Sequence, residues 1–251
     1  MAITRTIYTQ GVVTVDGQEL FAQSVNWNHN MPKESLTALG RTSFQRVASG
    51  PETATLEVTF YPTGGEGGLL STLAADSVAV APTRSTVACN IGGLSNALLS
   101  SVKGDAAIGS IPTITASFIG TYAAAAANAS PSSAAITTIQ TTEAVSINGS
   151  GCAQRASFSW DVPIEPISCL GNVITTGSEF FGNPPGSASI NAEGTTAPET
   201  VTQIDIGNFT FNLGTGASLS SRSNNLAVGQ MHGTFNSVTD GLAVNATFAD
   251  S

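Results

Sequence analysis

Charge is what this chain has least of. Only 10% of its 251 residues are Asp, Glu, Lys or Arg, against roughly 25% in typical soluble domains, and just two are lysine, Lys33 and Lys103. Basic residues number 8 against 17 acidic ones, a formal charge of −9, which excludes a protein that grips nucleic acid by displacing counterions from phosphates. There are two histidines, His29 and His232, and three cysteines, Cys89, Cys152 and Cys169. None stands in an H-x-x-x-H or C-x-x-C setting, so metal and redox motifs are missing, and reduced thiols in a cytoplasm are expected. No apolar run approaches the roughly 18 residues of a bilayer span, and no signal-peptide core follows MAITRTIYTQ. A soluble protein is expected. Lone β proteins blunt their sheet edges with lysine, proline or inward charges; a chain so poor in lysine is expected to cover its edges with neighbours.

What the chain does have is a repeat. Residues 22 to 40 (AQSVNWNHNMPKESLTALG) return as residues 153 to 171 (AQRASFSWDVPIEPISCLG) without a gap. Ala22, Gln23, Pro32, Glu34, Leu39 and Gly40 recur as Ala153, Gln154, Pro163, Glu165, Leu170 and Gly171. Trp27 falls opposite Phe158, Met31 opposite Val162 and Leu36 opposite Ile167, so the apolar positions coincide too. Upstream, Val15-Asp16-Gly17 matches Ile147-Asn148-Gly149, both with the Asp-Gly or Asn-Gly signal of a tight hairpin. Downstream, TASFIG (115 to 120) is matched to NATFAD (245 to 250). The expected layout is two tandem modules, 1–122 and 136–251, joined by an Ala/Ser-rich linker, 123–135. Residues 1 to 130 carry six basic and eight acidic groups and residues 131 to 251 two and nine, so the copies differ electrically.

Short β-like runs separated by Gly, Pro and Asn dominate. The first copy offers Gly11 to Val15, Leu20 to Asn26, Ala54 to Tyr61, Ser85 to Ile91 and Pro112 to Ile119; the second offers Glu143 to Asn148, Ala153 to Trp160, Ala188 to Ala192, Phe209 to Leu213 and Ala243 to Phe248. In TLEVTF the apolar Leu56, Val58 and Phe60 alternate with polar neighbours, the period of a half-buried strand. The fold class expected is all-β, two tandem β-sandwich or barrel modules with at most one short helix each. Gly68 to Ala75 is the best helical segment, on the spacing of Leu69, Leu70 and Leu73. Long loops, Asn28 to Gly50 and Asp161 to Gly186, carry the repeated Pro-x-Glu and Leu-Gly elements and are expected to make subunit contacts.

No arrangement supports catalysis, and no cofactor or metal is implied. His29 and His232 lack counterparts in the other copy and read as polar loop or turn residues. Gly64-Gly65-Glu66-Gly67-Gly68 has no following Gly-Lys-Ser/Thr and reads as a flexible turn, not a phosphate cradle. Of the aromatic positions, only Trp27 with Phe158 reads as core, since Trp160 falls opposite His29.

A strand, then Pro-x-Glu, then Leu-Gly, then a long loop into an alternating strand, given twice, resembles the tail tube (major tail) proteins of tailed bacteriophages. That resemblance implies β-sandwich modules whose inner strands join into a barrel around a channel, with tandem-module members forming trimeric, pseudo-hexameric rings. It implies stacking into a tube that conducts DNA without specific binding, within a virion tail made in the host cytoplasm, beside tape-measure, terminator and possibly sheath proteins. The contact candidates it marks are Pro32, Glu34, Leu39, Gly40, Pro163, Glu165, Leu170 and Gly171; Glu57, on the polar face of TLEVTF, is the lumen candidate. Another ring-forming neck or distal-tail component, a tandem carbohydrate-binding or adhesin module, and an enzyme are the competing readings.

Overall fold

The computed structural model describes residues 13–36, 45–48, 50, 52–125, 145–147, 152–167, 179–182, 185–196, 200–226, 228 and 233–250. The first half of the chain gives β1 (Val13–Val15), β2 (Gln18–Leu20), β3 (Ala22–Asn30), β4 (Lys33–Leu36), β5 (Gln45–Ala48), β6 (Thr53–Phe60), helix α1 (Glu66–Val78), β7 (Ser85–Cys89), β8 (Gly92–Ala107) and β9 (Thr113–Ala123). The second gives β10 (Val145–Ile147), β11 (Cys152–Asp161), β12 (Ile164–Ile167), β13 (Glu179–Gly182), β14 (Ser187–Thr196), β15 (Gln203–Ile206), β16 (Phe209–Asn212), β17 (Ser218–Asn225), β18 (Thr234–Leu242) and β19 (Thr247–Asp250). The fold is all-β, with α1 the one α-helix among the described residues.

Eight strands run side by side, all antiparallel, in the order β3-β6-β9-β8-β11-β14-β18-β17. The first four come from the first half and the last four from the second, and the same order of elements recurs on each side of the β8–β11 seam. Register recurs as well. β3 meets β6 with a bulge between Ala22 and Ser24, and β11 meets β14 with one between Ala153 and Arg155. β9 meets β8 with a slip between Leu99 and Ser101, and β18 meets β17 with one between Leu219 and Ser221. Bulges fix twist and pairing, so their coincidence makes β11 the counterpart of β3 and β17 the counterpart of the far half of β8.

The sheet alternates cleanly. On β6, Ala54, Leu56, Val58 and Phe60 are buried while Thr55 and Glu57 are exposed, because successive side chains on a strand point to opposite faces. A second layer covers the apolar face: β7, β1 and β2 on one side, α1 in the middle, and the four-stranded sheet β10-β15-β16-β19 on the other. Its residues and those of the main sheet form one hydrophobic cluster through both halves, with Phe158 stacked on Phe211 at 4.5 Å and Trp160 edge-on to Phe248 at 5.9 Å.

β8 is the hinge of this design and was not expected from the sequence. Its start pairs with β7 in the second layer and its end with β11 in the main sheet. It changes layers through bulges at Ser95/Leu98 and Leu99/Ser101, as strands at sandwich corners do. The second half breaks the equivalent strand into β16 and β17. It also breaks the counterpart of β9 into β18 and β19, with the 3-10 turn Ala243–Asn245 between. Ala243 to Phe248, expected as one strand, is therefore that turn and the start of β19. The pairing of TASFIG with NATFAD is corrected likewise: Ser95 faces Thr121 as Asn212 faces Thr247, so Thr121-Tyr122-Ala123 matches Thr247-Phe248-Ala249. β9 runs through Ala123, the first residue assigned to the linker, whose residues 126–135 lie outside those described. Leu20 to Asn26 spans the join of β2 and β3. Between β1 and β2 the expected tight turn is present, with Asp16 at φ 49° and Gly17 at φ 86°, the conformation a two-residue hairpin requires. Asn148 and Gly149 lie outside the described residues.

The stretch Gly64 to Gly68 is a helix start rather than a flexible turn. Glu66 is buried, taking hydrogen bonds from Gly64 N (2.6 Å) and from the Thr63 backbone and hydroxyl. Asp250, at the far end of the chain, accepts from Gly65 N (2.8 Å), Gly67 N (2.9 Å) and Gly68 N (3.0 Å). A carboxylate there fills the unsatisfied N–H groups of the first turn and complements the helix dipole. Gly67 is required by proximity, since a Cβ would overlap the Ala249 carbonyl. The buried face of α1, Leu70, Leu73, Ala74 and Ser77, has helical spacing, and the helix lies against β19, β16, β13 and β8. One helix from the first half thus covers the second. Asp250→Ala is expected to cost about 1–2 kcal/mol, read as a lower urea midpoint for the full chain.

Candidate subunit interface

Of the eight strands, β3 and β17 alone have one partner each among the described residues, β6 and β18. They are the two free edges, and they are counterparts of β11 and β8, which are joined inside the chain. The internal seam pairs Arg155 with Ala107, Ser157 with Asp105, Phe158 with Gly104, Ser159 with Lys103, Trp160 with Val102 and Asp161 with Ser101. Each free edge therefore has the backbone geometry of a strand that is already paired elsewhere in the same molecule.

The side chains on these edges are exposed where their counterparts are buried. All eight residues of β17 are exposed. Leu219 is 41% and Leu226, just past its end, 76% exposed, whereas their counterparts Leu99 and Ala106 are 0% and 2%. On β3, Val25, Trp27 and His29 form the half-buried row, with Asn26, Asn28 and Asn30 on the polar side. Trp27, His29 and Tyr122 cluster with ring centroids 4.8 to 5.9 Å apart. Their counterparts Phe158, Trp160 and Phe248 are buried, Phe158 against Phe209 and Phe211 and Trp160 against Phe248. Trp160 is thus a core residue, contrary to expectation, with its indole N–H donated to the Ala243 carbonyl at 3.0 Å. His29 sits in a strand, not a loop, hydrogen-bonded through Nε2 to Glu52 at 2.5 Å. His232 and Cys169 lie outside the described residues; Cys89 is buried, its thiol on the Gly92 carbonyl.

The two long loops contain antiparallel hairpin arms, β4–β5 and β12–β13. Glu34 is exposed on the first and Glu165 on the second, at matching positions opposite Val47 and Phe181. Pro32 is half-buried at the base of its arm beside Gly50, and Pro163 is exposed. Leu39, Gly40, Leu170 and Gly171 lie outside the described residues. Two residues missed by the sequence reading are informative. Leu36 and Ile167 end the outgoing strands of the two arms at matching positions and are 54% and 49% exposed. Their alignment in the repeat was visible; their exposure was not.

The polar face of the main sheet is lined by Ser, Thr and Asn. Its charged residues are Glu57, Lys103, Asp105, Arg155, Asp161, Glu193 and Asp240, all half-buried or exposed. Arg155 and Asp105 pair across the seam at 2.6 Å, and that bond raises the already high pKa of the guanidinium. Glu57 is exposed on this face, at the middle of β6. Among the described residues no three His, Cys, Asp or Glu side chains group as metal ligands, and no helix is long and apolar enough to cross a membrane.

Neither protein-family models nor curated proteins match this chain. Its role must be read from its edges, arms and faces. Both edges lack lysine and proline, the usual devices that keep a strand from recruiting another.

Proposed function

We propose that this protein is a self-assembling structural subunit, two duplicated modules that join edge to edge into a closed ring and stack as the tail tube of a tailed bacteriophage. The observation that supports this best is the internal seam. β17 of one copy can meet β3 of the next in the register in which β8 meets β11, so an interface between copies repeats an interface within one. A contact between two different edges is heterologous, and such contacts give rings when the rotation closes.

Three copies of an eight-stranded sheet make a barrel of roughly 24 strands and roughly 40 Å across its backbone, beyond the 16–18 strands at which barrels already hold an aqueous channel. The polar face becomes the lumen. Its excess of carboxylates over Lys103 and Arg155 repels a duplex from the wall, which favours passage over binding. Glu57 is one of those carboxylates. Tape-measure, terminator and sheath proteins are the partners this role brings with it.

Negative-stain electron microscopy of the purified protein over a concentration series tests the reading. Hollow tubes with a central hole support it, closed rings that never stack indicate a neck or distal-tail component, and monomers at every concentration oppose both. The arms provide a separate expectation. Leu36→Lys with Ile167→Lys should leave rings intact and abolish stacking, since both exposed apolar residues project from the main sheet on hairpins of their own; tubes of normal length from the double variant would remove the arms from the stacking interface.

A further inference from the structure

The seam inside the chain and the seam proposed between copies distribute charge in opposite ways. Inside, the core side is apolar, with Trp160 opposite Val102, and the ion pair, Arg155 with Asp105, lies on the polar side. The counterparts on the free edges reverse this. Arg155 and Asp105 become Ser24 and Asn225, both neutral. Val102 becomes Arg222, Trp160 becomes His29, and Gly186, the residue before β14, becomes Glu52.

Register carries the argument through. Transferring the β8–β11 pairs onto β17 and β3 places Asn225 opposite Asn26, Asn224 opposite Trp27, Ser223 opposite Asn28, Arg222 opposite His29 and Ser221 opposite Asn30. His29 belongs to the half-buried row of β3 with Val25 and Trp27. Arg222 faces Ser237 across β17–β18, and Ser237 is buried on the apolar side. Both side chains therefore lie on the same face of the joined sheet. Directly opposed residues hold their Cβ atoms roughly 4.5–5.5 Å apart, well within the reach of an arginine. Glu52 is only 8% exposed and already accepts from His29, so its carboxylate is fixed where the guanidinium arrives.

We infer that Arg222 of one copy locks onto the Glu52–His29 pair of the next, and that this buried charge contact selects the β17-to-β3 joint over β17–β17 and β3–β3 pairings. The inference rests on the edge-to-edge reading above. In a β17–β17 joint two guanidinium groups approach each other, and in a β3–β3 joint two carboxylates do; like charges brought together in a desolvated joint are the usual means of rejecting wrong partners. The seam within the chain needs no such selection, because the tether chooses its partner, and there the same positions are apolar.

The test uses the full-length chain, with light-scattering mass against concentration and electron microscopy for each variant, and circular dichroism to check folding. Arg222→Glu and the milder Arg222→Gln are expected to raise the concentration for ring formation by about 10- to 100-fold, the scale of losing one partner of a buried charge pair. Glu52→Arg combined with Arg222→Glu is expected to recover most of that loss. Lys103→Glu, an identical change of charge on the polar face, should assemble like the unaltered protein. Asn28→Cys with Ser223→Cys should cross-link neighbouring copies under oxidation. Rings from the Arg222 variants at the unaltered concentration, with the cross-link still forming, would overturn the lock and leave the edge-to-edge reading standing. Absence of both rings and cross-link in the otherwise unaltered background would overturn the two together.

Discussion

Leu219→Lys with Leu226→Lys is expected to leave the protein folded and monomeric. In one copy these side chains are exposed on β17, so lysines there meet water, and the circular dichroism of the β fold stays the same. In a ring they take the places that Leu99 and Ala106 occupy within the chain, at 0% and 2% exposure. An ammonium group forced into such a position loses its hydration, several kcal/mol for each, and the apolar gain of burying Leu226 is lost with it, about 1.5–3 kcal/mol. At 1.4 kcal/mol per tenfold, the association constant for one joint falls by at least about 100-fold. A ring with several identical joints suffers the loss at each. Rings of normal yield at the usual concentration, seen by light scattering, would mean that β17 is not the joining edge.

Trp160→Ala acts on stability instead. The indole is fully buried, edge-on to Phe248, and its N–H is donated to a buried carbonyl. Removing a large aromatic side chain from a core costs about 3–5 kcal/mol, and the indole's hydrogen bond to the Ala243 carbonyl goes with it. For a protein of this size each kcal/mol moves the melting temperature by about 2–4 °C, so a drop of roughly 6–20 °C is expected by calorimetry. His29→Ala, the same position in the first half, should cost less in the monomer, about 1–3 kcal/mol, nearly all of it from leaving the buried Glu52 carboxylate without its hydrogen bond. A loss at His29 as large as that at Trp160 would mean that β3 is not an open edge in the single chain.

How much of this was legible in the sequence depends on whether a residue's neighbours are near in the chain. β6 was readable because one of its faces meets the core and the other does not, which gives TLEVTF a period of two. β8 was not, although it is the longest strand. It starts in one layer and ends in the other, so its burial changes period along its length and GGLSNALLSSVKGDAA shows no simple alternation. β17, SLSSRSNN, is an edge strand with no buried residue in the single chain and hence no apolar pattern to read. The Asp250 cap joins residues 185 positions apart, and nothing near Gly65 announces it. In the second half, the break after Leu242 shifts the true match of Thr121-Tyr122-Ala123, and an ungapped comparison missed it. The contact candidates fared according to the same rule. Glu34 and Glu165 were singled out because they recur, and both are exposed on the arms, while Leu36 and Ile167 recur too but needed the structure to show them facing solvent.

The β8–β11 seam has one consequence for how an assembly comes apart. Two edges held in one chain meet at an effective concentration in the millimolar range, set by the connection between them and independent of how dilute the sample is. The joint proposed between β17 of one copy and β3 of the next has no tether and would obey mass action. In a closed ring, then, every second seam would be indifferent to dilution while its neighbours loosen. Breakdown on dilution would release whole chains in one step, and the eight strands of each would leave together as a single curved panel.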